Sequence, residues 1–120
     1  MISYFALITM SIILAFAIFA LLYSFVMFDR LVQAEYAQDR PAWEADGRPR
    51  GFFWRAPECT WLRSAWAINR LSFVWLFNTP AWAASSAIYR DWLRRMRLCV
   101  LAWNVIILGL FLAMVLVVLK

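Results

Sequence analysis

LCVLAWNVIILGLFLAMVLVVL, residues 98–119, carries no charged side chain and a single strongly polar one, Asn104. At 1.5 Å per residue its 22 residues make a helix of roughly 33 Å, enough to cross a hydrocarbon core of about 30 Å. The run starts directly after Arg94, Arg95 and Arg97 and is followed by Lys120. Guanidinium groups at a helix end stay in the headgroup layer, and cytoplasmic flanks carry the excess of basic residues. The stretch predicts a membrane span whose arginine end faces the cytoplasm.

The composition agrees with that reading. A chain of 120 residues that is 66% hydrophobic and 16% charged is too apolar for an ordinary soluble domain, which carries about 25% charged residues. A second charge-free run occupies Met1–Phe28, with Ile12, Ile13, Leu14, Phe16, Phe19, Leu22 and Phe25 among its apolar residues. As a helix it would measure about 42 Å, so it spans with tilt or reaches into both interfaces. A secretory signal peptide is the rival, and Ala15-Phe16-Ala17 has the small-x-small form of a cleavage site. That reading lacks a basic n-region, and the apolar run far exceeds the usual 7–15 residues, so an uncleaved span is expected.

Between Asp29 and Arg97 lie all seven carboxylates and eleven of the twelve basic residues, leaving only Lys120 outside. The expected fold class is therefore an all-α membrane protein with a transmembrane helix at each end, residues 1–28 and 98–119. Residues 29–97 form a cytoplasmic or interfacial helical connection, and both termini are periplasmic. The net charge of +5 has its simplest partner in anionic lipid headgroups, and no nucleic acid is expected. Cys59 and Cys99 sit where a reducing compartment and a span leave no reason for a disulfide.

Within the connection, Leu31, Val32, Ala34, Tyr36 and Ala37 interleave with Gln33, Glu35, Gln38, Asp39 and Arg40, extending the first helix into water as far as Pro41. Pro41, Gly47, Pro49, Gly51 and Pro57 then forbid a long helix. A turn at 42–46 ended by Gly47, followed by an irregular loop at 47–58, is predicted. Arg48, Arg50, Phe52, Phe53, Trp54 and Arg55 of this loop suit the headgroup layer, with rings in the interface and guanidinium groups at phosphates. They equally suit a small core packed on neighbouring helices.

Thr60 is a candidate N-cap for a helix over 61–77. Its narrow polar stripe, Arg63, Ser64, Arg70 and Asn78, places it in the membrane plane or against a partner rather than across the bilayer, where an arginine at mid-depth costs at least about 2.5–3.5 kcal/mol. Asn78-Thr79-Pro80 is a helix start signal, after which one helix is expected to run from Pro80 through the last span. Arg90, Arg94 and Arg97 share a face of it, and Asp91 and Arg95 form an i,i+4 pair. Seven of the eight tryptophans lie between the spans, the level where indoles are enriched. In the last span Asn104 and the small pair Gly109 and Ala113 are candidate helix-packing residues, as are Ala20 and Ser24 in the first.

Catalytic signals are missing. The chain has no histidine, hence none of the commonest general base and metal or haem ligand. There is no Gly-rich phosphate loop, Ser/His/Asp order or CxxC motif. Glu44, Asp46 and Glu58 read as solvated loop charges or arginine partners. No catalytic residue, metal or cofactor is expected.

The layout resembles the universal stress protein B family, small bacterial inner-membrane proteins with a span at each end and a basic middle. The similarity lies in Pro41-Ala42-Trp43-Glu44, Gly47-Arg48-Pro49, Gly51-Phe52-Phe53 and Arg94-Arg95-Met96-Arg97. It implies a bacterial inner membrane and a stress-linked role, and supplies no active site; Trp61–Ala84 is more apolar than that family's polar middle. The expected function is a non-catalytic accessory subunit packed against other integral membrane proteins of a respiratory, photosynthetic or secretory complex. The alternative is a self-sufficient stress protein acting at the lipid interface.

Overall fold

Both charge-free runs are helical in the computed structural model, which describes residues 3–120. Met1 and Ile2, the start of the expected first span, lie outside the described residues. Helix α1, Tyr4–Gln38, begins where the Ser3 hydroxyl accepts the Ala6 N–H. Its 35 residues reach about 52 Å, so the apolar run and its amphipathic continuation are one rod. Asp39 ends α1 with φ −142° and its carboxylate accepts the Ala42 N–H at 3.2 Å, capping α2, Arg40–Ala45. Gly47, at φ +94°, then closes α2: its N–H reaches Glu44 O at 3.1 Å, and Arg48 N–H reaches Trp43 O at 3.0 Å. This paired C-cap is the stop that glycine past a helix end provides.

After the loop come α3, Trp61–Phe77, then α4, Ala81–Ala84, and α5, Ala87–Leu119. The expected unbroken helix from Pro80 is thus two helices. Ser85 and Ser86 break it: Ser86 is extended (φ −119°, ψ 127°) and its hydroxyl caps α5 by accepting the Tyr89 N–H. Serine hydroxyls compete with the helix for backbone partners, and two in succession make a break inexpensive. Thr60 does stand at the N-cap of α3, but its side chain makes no capping hydrogen bond.

Helices α1 and α5 form an antiparallel hairpin: Tyr23 meets Arg95, and further along α1, Arg30 stacks over Trp92. Ala17, Ala20 and Ser24, small residues on one face of α1, are buried, which lets backbones approach closely. Both helices are long and apolar enough to cross a bilayer, and their apolar windows are almost wholly unburied. The core sits instead at the charged foot of the hairpin. There Met27, Phe28, Leu31 and Val32 of α1 pack with Trp43, Ala56, Cys59, Ile68, Leu71, Trp75, Leu93 and Met96. Trp43 and Trp75 are therefore core residues rather than surface indoles, with the Trp43 N–H donating to Pro49 O at 2.9 Å.

Candidate interaction site

The irregular loop is built around one carboxylate. Asp29, 6% exposed, accepts backbone N–H groups from Phe52, Phe53 (2.8 Å) and Trp54 (3.0 Å). A loop without helix or sheet partners must satisfy its donors some other way, and Asp29 does so for three consecutive residues. The carboxylate comes so close that a Cβ on Gly51 would collide with it, which is why glycine is required there. The sequence reading gave Asp29 only the role of closing the first apolar run.

Held in this way, the loop divides the predicted arginine and aromatic residues between both environments considered for them. Phe52 stacks on Phe25 at 4.0 Å between ring centroids, and Trp54 packs edge-on against Tyr36. Phe53 points outward. Arg55 donates to Cys59 O, and Arg48 takes a left-handed φ of 53°. Arg50 lies beside Trp61, Leu62 and Trp66, its buried Nε without a partner among the described residues.

The basic residues of α5 are similarly divided. Arg94 and Arg95 both reach Asp91 at 3.0 Å, so Asp91 serves two guanidinium groups, and Arg95 also donates to the Tyr23 hydroxyl. Arg90 is exposed. Arg97 turns inward: its Nε donates to Trp75 O at 2.8 Å and its Nη2 to Thr79 Oγ1. Trp75 O is one of the last carbonyls of α3, so Arg97 satisfies a helix end and opposes its negative pole.

Below the apolar part of α1 lies a buried acid that sequence reasoning missed. Glu35 is 1% exposed; its Oε2 accepts the Trp82 N–H at 3.0 Å, while no donor reaches its buried Oε1 among the described residues. Burial, and then the neighbouring Asp46 carboxylate, push the Glu35 carboxyl up to about 9. It is neutral at pH 7, with its own hydrogen to offer Asp46. A signal was present: Ser24, Phe28, Leu31 and Glu35 recur at helical spacing, which puts Glu35 on the buried face. Of the loop acids, Asp46 pairs with Arg70, whose Nη2 also holds Asp46 O at 2.7 Å. Glu58 accepts the Tyr36 hydroxyl at 2.8 Å, which holds its carboxyl below the usual range, and faces Arg40.

Helix α3 has two apolar faces. Ser64, Ala67, Ile68, Leu71 and Trp75 are buried, so Ser64 belongs to the inner face and not to a polar stripe with Arg63 and Arg70. Opposite it, Leu62, Trp66, Phe73 and Phe77 are exposed. Phe73 lines a groove of about 250 Å³ together with Leu21 and Phe25 of α1 and Val100, Trp103 and Asn104 of α5. In that groove the Asn104 side chain donates to Val100 O one turn back. Gly109 has no atom within 4 Å of where a Cβ would be, and Ala113 is exposed. Neither residue is packed within the chain.

No protein-family model, curated protein or solved structure matches the chain.

Proposed function

We propose that this chain is a non-catalytic subunit of a bacterial inner-membrane assembly. Its α1–α5 hairpin crosses the bilayer, and residues 29–97 form a folded head on the cytoplasmic side. The observation that carries the reading is the separation of the core from the apolar helices. The hydrophobic core lies between Met27 and Met96, while α5 from Leu98 onward buries none of its residues and offers Gly109 as open backbone. Without a hydrophobic driving force in lipid, helices associate through close packing of small residues and polar side chains. Gly109 and Ala113 supply the small residues on a helix that packs neither internally, and Asn104 supplies an amide whose Nδ2 is held by Val100 O of its own helix. The head adds rigidity: a loop fixed to Asp29 and a helix end fixed by Arg97 make a firm platform. The resemblance to the universal stress protein B family adds a stress-linked setting.

Co-purification tests this. The full chain, tagged and extracted in mild detergent, should migrate with other integral membrane proteins, and Gly109→Leu should release them while leaving the hairpin folded. Migration as a lone monomer overturns the subunit reading.

A further inference from the structure

An amphipathic helix at a protein surface normally wets the face that it does not bury. Helix α3 does not. Trp66 is 74% exposed and Phe73 66% exposed, and Leu62 and Phe77 lie on the same face at helical spacing. Leaving four such side chains in water forgoes roughly 1.5–3 kcal/mol each, so the face has a natural covering.

Two observations identify it. The first is continuity: the groove that Phe73 lines is walled on its other sides by Leu21, Trp103 and Asn104 of the two apolar helices. The medium that bathes those helices reaches Phe73 along a groove that is mostly apolar, Ser24, Ser72 and Asn104 being its polar lining. The second is charge. Trp66 stands between two shallow grooves, one shared with Arg50 and Trp61, the other with Arg63 and Arg70. Asp46 lines the second groove but is matched by Arg70. Neither Arg50 nor Arg63 has a carboxylate within ion-pair distance among the described residues. An indole with a cation on either side is how proteins meet the headgroup layer, the ring sinking below the phosphates while the guanidinium groups stay level with them.

We propose that the outer face of α3 lies on anionic phospholipid of the inner leaflet, with Leu62, Trp66, Phe73 and Phe77 in the interface and Arg50 and Arg63 on lipid phosphates. This rests on the membrane reading of α1 and α5 and names what covers a part of the head that those helices do not. The lipid contact also gives the head a fixed orientation on the membrane.

The test uses the full chain in nanodiscs, with Trp66→Phe and Trp103→Phe as reporters by difference. Lipids brominated near the top of the acyl chain should quench the fluorescence that Trp66→Phe removes, and iodide in the buffer should not. Brominated phosphatidylglycerol should quench it more strongly than the same fraction of brominated phosphatidylcholine. Arg50→Gln and Arg63→Gln should each lower that preference about fivefold, the ratio expected for one basic residue near an anionic surface. If iodide quenches Trp66 while bromolipid does not, the face is open to water or kept for a protein, and the inference fails. Equal quenching by the two brominated lipids also defeats it. Trp103 separates this from the larger reading: lipid quenching at Trp103 but not at Trp66 sinks only the α3 contact, whereas its absence at both sinks the spans.

Discussion

Asp29 and Glu35 show how much two carboxylates six residues apart can differ. Asp29 accepts three backbone N–H groups and so organises the loop. Gly51→Ala, whose methyl would displace that carboxylate, should therefore cost about 1–3 kcal/mol, the penalty for leaving buried donors unpaired. Asp29→Ala should cost a similar amount. Because both break one arrangement, the double variant should be far less destabilised than the sum, as read from denaturant unfolding in detergent. Glu35 gives a pH dependence instead. The unfolded chain releases this proton near the ordinary value of 4.5, whereas the folded chain holds it to about 9. Between those limits the native state binds more protons, so stability is greatest at the acid end and falls as pH rises, by up to about 1.4 kcal/mol per unit. Glu35→Gln keeps an uncharged group facing Asp46 and Trp82; its melting temperature should decline less from pH 5 to 9 and exceed the wild-type value at pH 9. Parallel slopes would show that Glu35 is not the titrating group. Helical phase carried a signal for the buried position of Glu35, which the sequence places among residues expected to face water. The role of Asp29 was not legible, because its partners are backbone groups of a loop more than twenty residues away, and backbone donors look alike in every sequence.

Among the elements, the apolar helices and α3 were readable because periodicity and breakers act locally. The bounds expected for α3, 61–77, are those found. The break at Ser85–Ser86 was not foreseen: proline and glycine are absent from that stretch, and the serine cap that permits the turn is joined by a tertiary contact. The turn delivers Trp82 of α4 to Glu35 of α1 before α5 departs along the hairpin. The same holds for Arg97, which shares a helical face with Arg90 and Arg94 but closes the end of α3 through Trp75 O. Arg97→Gln should loosen that end, costing roughly 1–2 kcal/mol through the lost charge-assisted bond and helix-pole contact. Hydrogen exchange should quicken over the last turn of α3 and leave α1 protected. Arg90→Gln, at an exposed site on the same helix, should change stability by less than about 0.5 kcal/mol. An equal effect from both would mean that the cluster acts only through its summed charge.

At the scale of the whole molecule, which extends 57 Å along its long axis, the head is packed on residues of α1 and α5 themselves, so threading the hairpin decides the side on which the head lies. Eleven arginines and seven carboxylates lie between the two apolar runs, and carrying the arginines across a bilayer opposes both the dielectric cost and the positive-inside bias. The head should therefore remain cytoplasmic and the far end of α5 periplasmic. Phe53, on the head beside Asp29, and Val118, near the end of α5, are both more than two-thirds exposed and make a matched pair of probes. In a Cys59→Ala, Cys99→Ala background, Phe53→Cys should react with an impermeant maleimide only after the inner membrane is opened, and Val118→Cys should react in intact spheroplasts. The reverse pattern would put the arginine-rich head in the periplasm. Reaction of both in intact cells would mean that the hairpin does not cross at all, and α1 and α5 would then need a protein partner along their whole length to keep their apolar surface out of water.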